Sequence, residues 1–386
     1  MKKIYLDYAA TTPVDPRVLK AMMPYFSDKF ANTMSLHQMG QVASDAVENS
    51  RKIIASFIKA KPEEIYFTSS ATESNNLALK GITFANREKG KNHVIISSIE
   101  HDCVLESSRW LARQGFKVDE INVDKYGFIN INQLKKLITS STVLVSVIHG
   151  NNEIGTIQDI KTIGKICHQK GVYFHTDASQ SLGKVNIDVE KMKIDLLTAS
   201  SHKIYGPKGA AILYIKKGVI IEPIIHGGGH EKGLRSSTSN VPAIVGMGSA
   251  VEILYKESKQ ENEKQKKLRD MLINGILKNI KGTHLNGHPV NRLSNNANIS
   301  FPSIEGESLL MELDFAGVEV STGSACSSRN LMPSHVLMAC GAKPQIAHGS
   351  IRLSVGRFTT EEEIHKAIKI FVKVVNKLKQ YSPFKV

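Results

Sequence analysis

The chain has 386 residues, of which 41% are hydrophobic and 22% charged, a composition typical of soluble globular proteins that excludes disordered and fibrous classes. It contains no run of roughly 18 apolar residues, so we expect no membrane span. The formal net charge of +14 would suit an anionic cofactor, an acidic partner or nucleic acid. However, the lysines are interleaved with acids, as in residues 257–264, and we expect no direct nucleic-acid binding.

Short β-branched runs alternate with longer helical stretches from residue 64 to residue 215. This alternation predicts an α/β fold with a mainly parallel sheet covered by helices, because the runs are apolar on both faces. Ligands bind such sheets beyond the carboxyl ends of the strands. The predicted strands are residues 64–67, 93–96, 143–147, 172–174 and 195–197, with helices predicted over residues 104–113 and 160–169.

The last third of the chain has a different pattern. A helical stretch runs from residue 241 to residue 276, and residues 295–386 are predicted to form a smaller α+β unit. Within residues 361–378, apolar side chains recur at helical spacing, which predicts a helix that packs on a core.

Polar residues follow the predicted strands, where they would meet at one edge of the sheet. Ser70 and Glu73 have the spacing of a capping box, and with Thr72 they predict a helix N-terminus that binds a phosphate or is simply well capped. His101 follows the second strand, where an imidazole can stack on a ring and move protons, although a lone histidine is usually a satisfied polar residue. Asn152 follows the third strand.

An acid and a lysine follow the last two predicted strands. Asp177 and Gln180 leave the strand at residues 172–174, and Lys203 lies in a polar turn after the strand at residues 195–197. A Schiff-base lysine with an acid for a pyridinium nitrogen is the pairing that pyridoxal phosphate requires. Taken singly, a lysine and an aspartate in these positions are more often a surface lysine and a turn aspartate.

Taken together, these motifs resemble the NifS/IscS-type cysteine desulfurases, which are fold-type I pyridoxal phosphate enzymes of aminotransferase class V. The resemblance runs in order from residue 5 to Arg352 and beyond. It implies the α/β fold of these transferases, with a large cofactor-binding domain (residues 15–258) and a small α+β domain (residues 1–14 and 259–386). The motifs are Glu100-His101, Asn151-Asn152-Glu153-Ile154-Gly155, His175-Thr176-Asp177-Ala178-Ser179-Gln180, residues 201–209 and His226-Gly227-Gly228-Gly229-His230-Glu231.

The resemblance also implies a role for each matching residue. Lys203 would hold the cofactor as a Schiff base, and Asp177 would keep the pyridine nitrogen protonated, because a nearby opposite charge favours the charged form. His101 would stack on the ring and shuttle protons. Asn152 and Gln180 would bind at the ring oxygen. Thr72, Ser200 and His202 would bind the phosphate, together with Thr238 from the second subunit of a homodimer. Ala71 is a further implied cofactor ligand.

Arg352 is the predicted substrate-binding residue. Apolar residues alternate with it in residues 350–357, so a strand would turn Arg352 away from the apolar face. A guanidinium in this position can bind an amino-acid carboxylate through two hydrogen bonds or form an ordinary ion pair. The resemblance implies that Arg352, with Asn152, binds L-cysteine.

Cys326 determines the predicted reaction. The other cysteines, Cys103, Cys167 and Cys340, have apolar helical surroundings that predict small buried side chains. Cys326 lies among small polar residues and glycine, which predicts a mobile exposed loop, and Arg329 is near enough in sequence to lower the pKa of its thiol. Four cysteines without a CxxC pair indicate neither a disulfide framework nor a metal site, and they favour a cytoplasmic protein.

The resemblance implies that Cys326 takes the sulfur of L-cysteine as a persulfide and that L-alanine is released. The expected acceptors are an iron–sulfur scaffold, with which Cys326 would share cluster ligation, or a tRNA thiolation enzyme. Two alternatives stay open. One is another class V reaction, such as selenocysteine cleavage or a different β-elimination. The other is a protein with weak catalysis that serves as a binding platform in a sulfur-transfer assembly or as a basic nucleic-acid binder.

Two segments depart from the usual family pattern. Arg235-Ser236-Ser237-Thr238-Ser239-Asn240 has Ser237 and Ser239 where the family usually has glycine and glutamate. A side chain at Ser237 would alter the path of the loop and therefore the contact of Thr238 with the phosphate. The second departure, in residues 31–35, would reshape the entrance of the site.

Overall fold

The computed structural model describes residues 3–322 and 333–381, and its strands form three sheets in that part of the chain. In chain order the strands are β1 (Ile4–Tyr5), β2 (Ile65–Thr68), β3 (His93–Ser97), β4 (Lys117–Ile121), β5 (Thr142–Ser146), β6 (Tyr173–Asp177), β7 (Leu196–Ser200), β8 (Ala211–Ile215), β9 (His284–Leu285), β10 (Asn296–Ser300), β11 (Val318–Glu319), β12 (Ser321–Thr322) and β13 (Ser350–Ser354).

Helices cover both faces of the largest sheet and fill the smaller unit. In chain order they are α1 (Pro16–Met22), α2 (Pro24–Ser27), α3 (Gln38–Ile58), α4 (Ala71–Asn76), α5 (Ile82–Ala85), α6 (Asp102–Arg113), α7 (Ile131–Leu137), α8 (Ile160–Gln169), α9 (Val241–Asn279), α10 (Gly306–Phe315), α11 (His335–Ala339), α12 (Pro344–His348) and α13 (Glu361–Tyr381). Among the described residues, no helix is long and apolar enough to span a membrane.

The largest sheet has the strand order β2-β8-β7-β6-β5-β3-β4. The pairs from β7 through β4 are parallel, and β8 is antiparallel to both of its neighbours. Strands β3, β5 and β7 are buried along their whole length, because one hydrophobic cluster packs on each face of the sheet. The predicted α/β fold with a mainly parallel sheet is therefore confirmed.

Two strands of this sheet were not predicted from the sequence. Strand β4 has the sequence Lys-Val-Asp-Glu-Ile and lies at the sheet edge, where its polar side chains face solvent and conceal the strand pattern. Strand β8 returns antiparallel beside β7, directly after the turn that carries Lys203.

A third hydrophobic cluster belongs to the C-terminal part of the chain. It combines Ile4 and Leu6 with residues of α9, α10 and α13 and of the antiparallel sheet β12-β13-β10-β9. Helix α9 joins this cluster to one of the two clusters on the large sheet, since Leu272 packs in the C-terminal cluster and Val251 packs in the cluster on the sheet face. The domain boundaries given above stay a prediction.

Candidate active site

Lys203 lies at the carboxyl edge of the large sheet. Residues Ser201–Lys203 form a 3-10 turn directly after β7, and the Nζ atom of Lys203 donates hydrogen bonds to the carbonyl oxygens of Ala9 (2.6 Å) and Ala10 (2.7 Å). Gln180 Nε2 donates to the same Ala9 oxygen at 2.8 Å. The N-terminal segment therefore brings together a lysine and an amide that follow different strands.

Asp177 is the last residue of β6, which is the parallel neighbour of β7, so it shares this edge with Lys203. Its side chain is 5% exposed and accepts hydrogen bonds from Asn75 Nδ2 (2.7 Å) and from the backbone N–H of Ser179 (2.8 Å). Both donors are neutral. A buried carboxylate with neutral donors is suited to a cationic ligand group.

His101 caps the N-terminus of α6, directly after β3. Its Nδ1 accepts the backbone N–H of Cys103 at 3.2 Å and lies 3.1 Å from the Cys103 Sγ. Burial lowers the pKa of His101, which favours a neutral imidazole.

The predicted phosphate ligands lie near the same edge. Ser200 is the buried last residue of β7, and burial together with Lys203 and Lys208 lowers the pKa of His202 to about 4. Ala71 and Thr72 open α4, where the Ser70 hydroxyl accepts the Glu73 N–H at 3.1 Å, as predicted. The Glu73 carboxylate, however, bonds to Ser69 and not to Ser70.

Thr238 is exposed. Within the described ranges, its side chain forms no hydrogen bond with the other predicted phosphate ligands. The segment that contains Thr238 is joined to α4 by an ion pair between Arg235 and Glu73 (2.7 Å).

Arg352 approaches the site from the smaller unit. It lies on β13, 4% exposed, and its guanidinium pairs with Asp7 Oδ1 (2.9 Å) and donates to the backbone oxygen of Asn152 (3.3 Å). Among the described residues its Nε has no hydrogen-bond partner, although it is buried. An unsatisfied buried donor on a charged group is costly and indicates an anionic ligand.

The residues present fit pyridoxal phosphate and an amino acid. Lys203 offers an amine beside the buried Asp177 carboxylate, and the orphaned Nε of Arg352 points to a carboxylate ligand. Together these groups match the donors that the cofactor and its substrate require.

Sequence reasoning missed three residues at the site. Asn75 binds Asp177 from α4, and Asp7 pairs with Arg352 across 345 positions. Cys103 was predicted to be only a small buried side chain; it is buried, but it also contacts His101 and Asn75. The pattern His101-x-Cys103 at a helix start was the available signal, whereas Asn75 and Asp7 had none.

Cys326 lies outside the described residues, as does Arg329. The described residues on either side of this segment adjoin the site: Thr322 on β12 pairs with Ile351, next to Arg352. On the other side, Ser334 donates to Glu153 Oε2 (2.5 Å), and His335 Nε2 lies 2.9 Å from the backbone oxygen of Glu100.

Comparison with known proteins gives a consistent result over nearly the whole chain. Residues 4–366 match the family model described as Aminotransferase class-V. The chain is 50% identical over 382 residues to cysteine desulfurase IscS of Methanosarcina thermophila, covering 99% of this chain and 94% of the relative. It is also 50% identical over 379 residues to cysteine desulfurase IscS 1 of Archaeoglobus fulgidus, covering 98% of each.

The fold matches as well. A solved structure described as a NifS-like protein superposes with a TM-score of 0.92 at 40% identity, covering 97% of this chain and all of that one.

Proposed function

The chain belongs to the class-V aminotransferase family, in which it is a pyridoxal phosphate-dependent cysteine desulfurase, and we propose that it passes the sulfur of L-cysteine through Cys326 to protein acceptors. The observation that carries this proposal is the arrangement of Asp177 and Lys203 at adjacent strand ends, with Arg352 entering the same site from β13. The acid and the lysine serve the cofactor, and the arginine serves the substrate.

Each residue has a separate task. When bound, pyridoxal phosphate supplies an electron sink for the α-carbon of the amino acid. Asp177, buried and oriented by Asn75, keeps the ring nitrogen cationic. Lys203 Nζ would hold the cofactor covalently and would move the α-proton of the substrate, while His101 presents a neutral ring.

Arg352 orients L-cysteine by binding its carboxylate. The Asp7 pair and the Asn152 carbonyl fix one side of the guanidinium, which leaves Nε available for the substrate. Because Asp7 already offsets part of the positive charge, the arginine tolerates burial before the substrate arrives.

Cys326 accepts the sulfur. Its thiolate forms an S–S bond with the substrate sulfur while the C–S bond of L-cysteine breaks, and the electron pair of that bond stays with the carbon fragment. Protonation of this fragment gives L-alanine. The persulfide on Cys326 then donates its outer sulfur to an acceptor thiol.

The test measures alanine and sulfide formed from L-cysteine with a reductant. Cys326→Ala should abolish sulfur release, whereas Cys340→Ala, which removes a half-buried thiol near α11, should retain it. Undiminished turnover by Cys326→Ala would contradict the persulfide route and favour another class V reaction.

We propose that the enzyme is a homodimer in which Thr238 reaches the phosphate of the partner subunit. Large apolar side chains are concentrated on the exposed surface of residues 19–42, which is typical of an interface. Thr33, within this surface, lies 3.4 Å from Ser239, next to Thr238. The exposed residues of this surface are Leu19, Met23, Phe26, Phe30, Met34, Leu36, Met39 and Val42.

Hybrid dimers test this arrangement. When Lys203→Ala subunits are mixed with Thr238→Val subunits, one site of each hybrid contains both changes and the other contains neither. Cofactor affinity and activity should therefore recover in half of the sites. No recovery in confirmed hybrids would place Thr238 at its own subunit's site.

The acceptors that we propose are an iron–sulfur scaffold or a tRNA thiolation enzyme in the cytoplasm. The described cysteines Cys103, Cys167 and Cys340 are free thiols, which is compatible with a reducing compartment. Pull-down with the Cys326 persulfide form, compared with Cys326→Ser, would identify the partner.

A further inference from the structure

The thiol of Cys103 lies between two groups of the cofactor site. Its Sγ is 3.1 Å from His101 Nδ1 and 3.1 Å from Asn75 Nδ2, and Asn75 in turn binds Asp177. The proposed mechanism gives Cys103 no task. The side chain is nevertheless buried with three polar groups within hydrogen-bond distance, since the Thr72 side chain also donates to the sulfur, and this is more than a packing role requires.

The donors and acceptors in this chain of contacts can be assigned one by one. Asn75 must present its N–H₂ group to the Asp177 carboxylate, because an amide oxygen would be repelled there. The second hydrogen of that nitrogen faces the sulfur, which therefore accepts. The thiol hydrogen is left for His101 Nδ1, which already accepts the Cys103 backbone N–H.

We propose that Cys103 is a positioning residue for His101: its S–H and N–H hold Nδ1 as an acceptor, so that the neutral imidazole carries its proton on Nε2. Asn75 keeps the thiol in this orientation by donating to the sulfur while it binds Asp177. The inference rests on the proposed role of His101 beside the cofactor.

A consequence of this arrangement is that the neutral ring is preferred. A second proton would have to enter at Nδ1, where two donors already point, so the backbone N–H of Cys103 would lose its acceptor and the thiol would have to turn its hydrogen away. The surrounding charged groups act in both directions, since Asp177 and Asp102 favour the imidazolium while Lys203 and His335 oppose it. Because Cys103 favours the neutral ring, it lowers the pKa of His101, as burial also does.

The experiment follows the ring of His101 in the holoenzyme. With ¹⁵N-labelled histidine and a His101→Gln variant for assignment, the ring shifts should show protonated Nε2 and unprotonated Nδ1 near neutral pH. Cys103→Ala should raise the pKa of His101 by about half to one pH unit, the equivalent of one neutral hydrogen bond. The acid limb of the kcat/KM profile should move upward with it.

The controls separate positioning from packing. Cys103→Ser keeps a donor and should remain near the wild-type pKa, and Cys167→Ala, which removes another buried thiol from α8, should leave His101 unchanged. Equal shifts in Cys103→Ala and Cys103→Ser, or no shift in either, would overturn the proposal.

If Cys103→Ala does not fold, Cys103→Val fills the space without a donor and provides the same test. Failure of this inference can be distinguished from failure of the proposed function. If the wild-type protein formed no alanine, the proposed function would fail, but the ring shifts of His101 could still be measured.

Discussion

The two sides of the site are built in different ways. On the sheet side, Asp177 ends β6 and Lys203 lies in the turn after its parallel neighbour β7, so one sheet brings their backbones together. On the opposite side, Arg352 comes from β13 of the smaller unit and depends on Asp7, 345 positions away. The backbone of the cofactor side therefore belongs to one sheet, with the N-terminal segment contacting only the Lys203 and Gln180 side chains, whereas the substrate side places its arginine on a different sheet.

The difference implies that cofactor binding and substrate binding can be impaired separately. Changes on the sheet side should remove the cofactor or its chemistry. Changes around Arg352, Asp7 and Glu153 should spare the cofactor and affect the use of L-cysteine.

The largest effect is expected on the sheet side, for Lys203→Ala. Alanine formation should fall by about 10²- to 10⁴-fold, because the variant loses a proton-transfer group as well as the covalent link. The absorption spectrum of the bound cofactor should change at the same time. Lys208→Ala, an exposed lysine five positions later, is the matched control and should be active.

On the substrate side, Arg352→Lys should raise the KM for L-cysteine by about 10- to 100-fold, since a hydrogen bond to a charged group contributes about 1.5–3 kcal/mol. Cofactor affinity should change little. Steady-state kinetics and cofactor titration measure the two effects. Asp7→Asn, which retains the guanidinium, should have a smaller effect on KM. If Arg352→Lys weakened cofactor binding as much as it raised the KM, the separation of the two sides would be contradicted.

Glu153 tests the packing that supports the substrate side. It is buried, it accepts from Ser334 across 181 positions, and burial raises its pKa to about 7. The fold favours the protonated form of Glu153. Its contribution to the free energy of unfolding is therefore fully present below about pH 4.5 and is lost as the pH rises through about 7.

Glu153→Gln imitates the protonated form. Its free energy of unfolding should therefore decline less than that of the wild type between pH 5 and pH 8, by on the order of 1–3 kcal/mol. Denaturant unfolding at several pH values measures this difference. The exposed Glu88→Gln should follow the wild type, and identical pH slopes for Glu153→Gln and wild type would contradict the prediction.

The smallest effect is expected for Thr238→Val, which removes one hydroxyl from the phosphate end. The dissociation constant of pyridoxal phosphate should rise about 3- to 10-fold, the effect of a single hydrogen bond. Equilibrium dialysis measures it, with Thr33→Val as a control on the same surface. An unchanged constant would mean that Ser237 and Ser239 have moved Thr238 away from the phosphate.

The sequence by itself determined the α/β fold and placed Lys203, Asp177 and His101 at strand ends, while the resemblance of its motifs to the cysteine desulfurases indicated the pyridoxal phosphate cofactor. It could do so because burial imposes a periodic pattern on strands and helices, and because parallel strands present their carboxyl ends at one edge. The edge strand β4 escaped prediction because its exposed polar residues hide that pattern.

Only the tertiary structure decided which distant residues complete the site. Asp7 meets Arg352, Asn75 meets Asp177, and Cys103 lies between Asn75 and His101. Apart from the local contact of Cys103 with His101, these hydrogen bonds join side chains from elements far apart in the chain, and nothing in local propensity or spacing encodes such pairings. They arise when the elements pack and a buried polar group must find its partner.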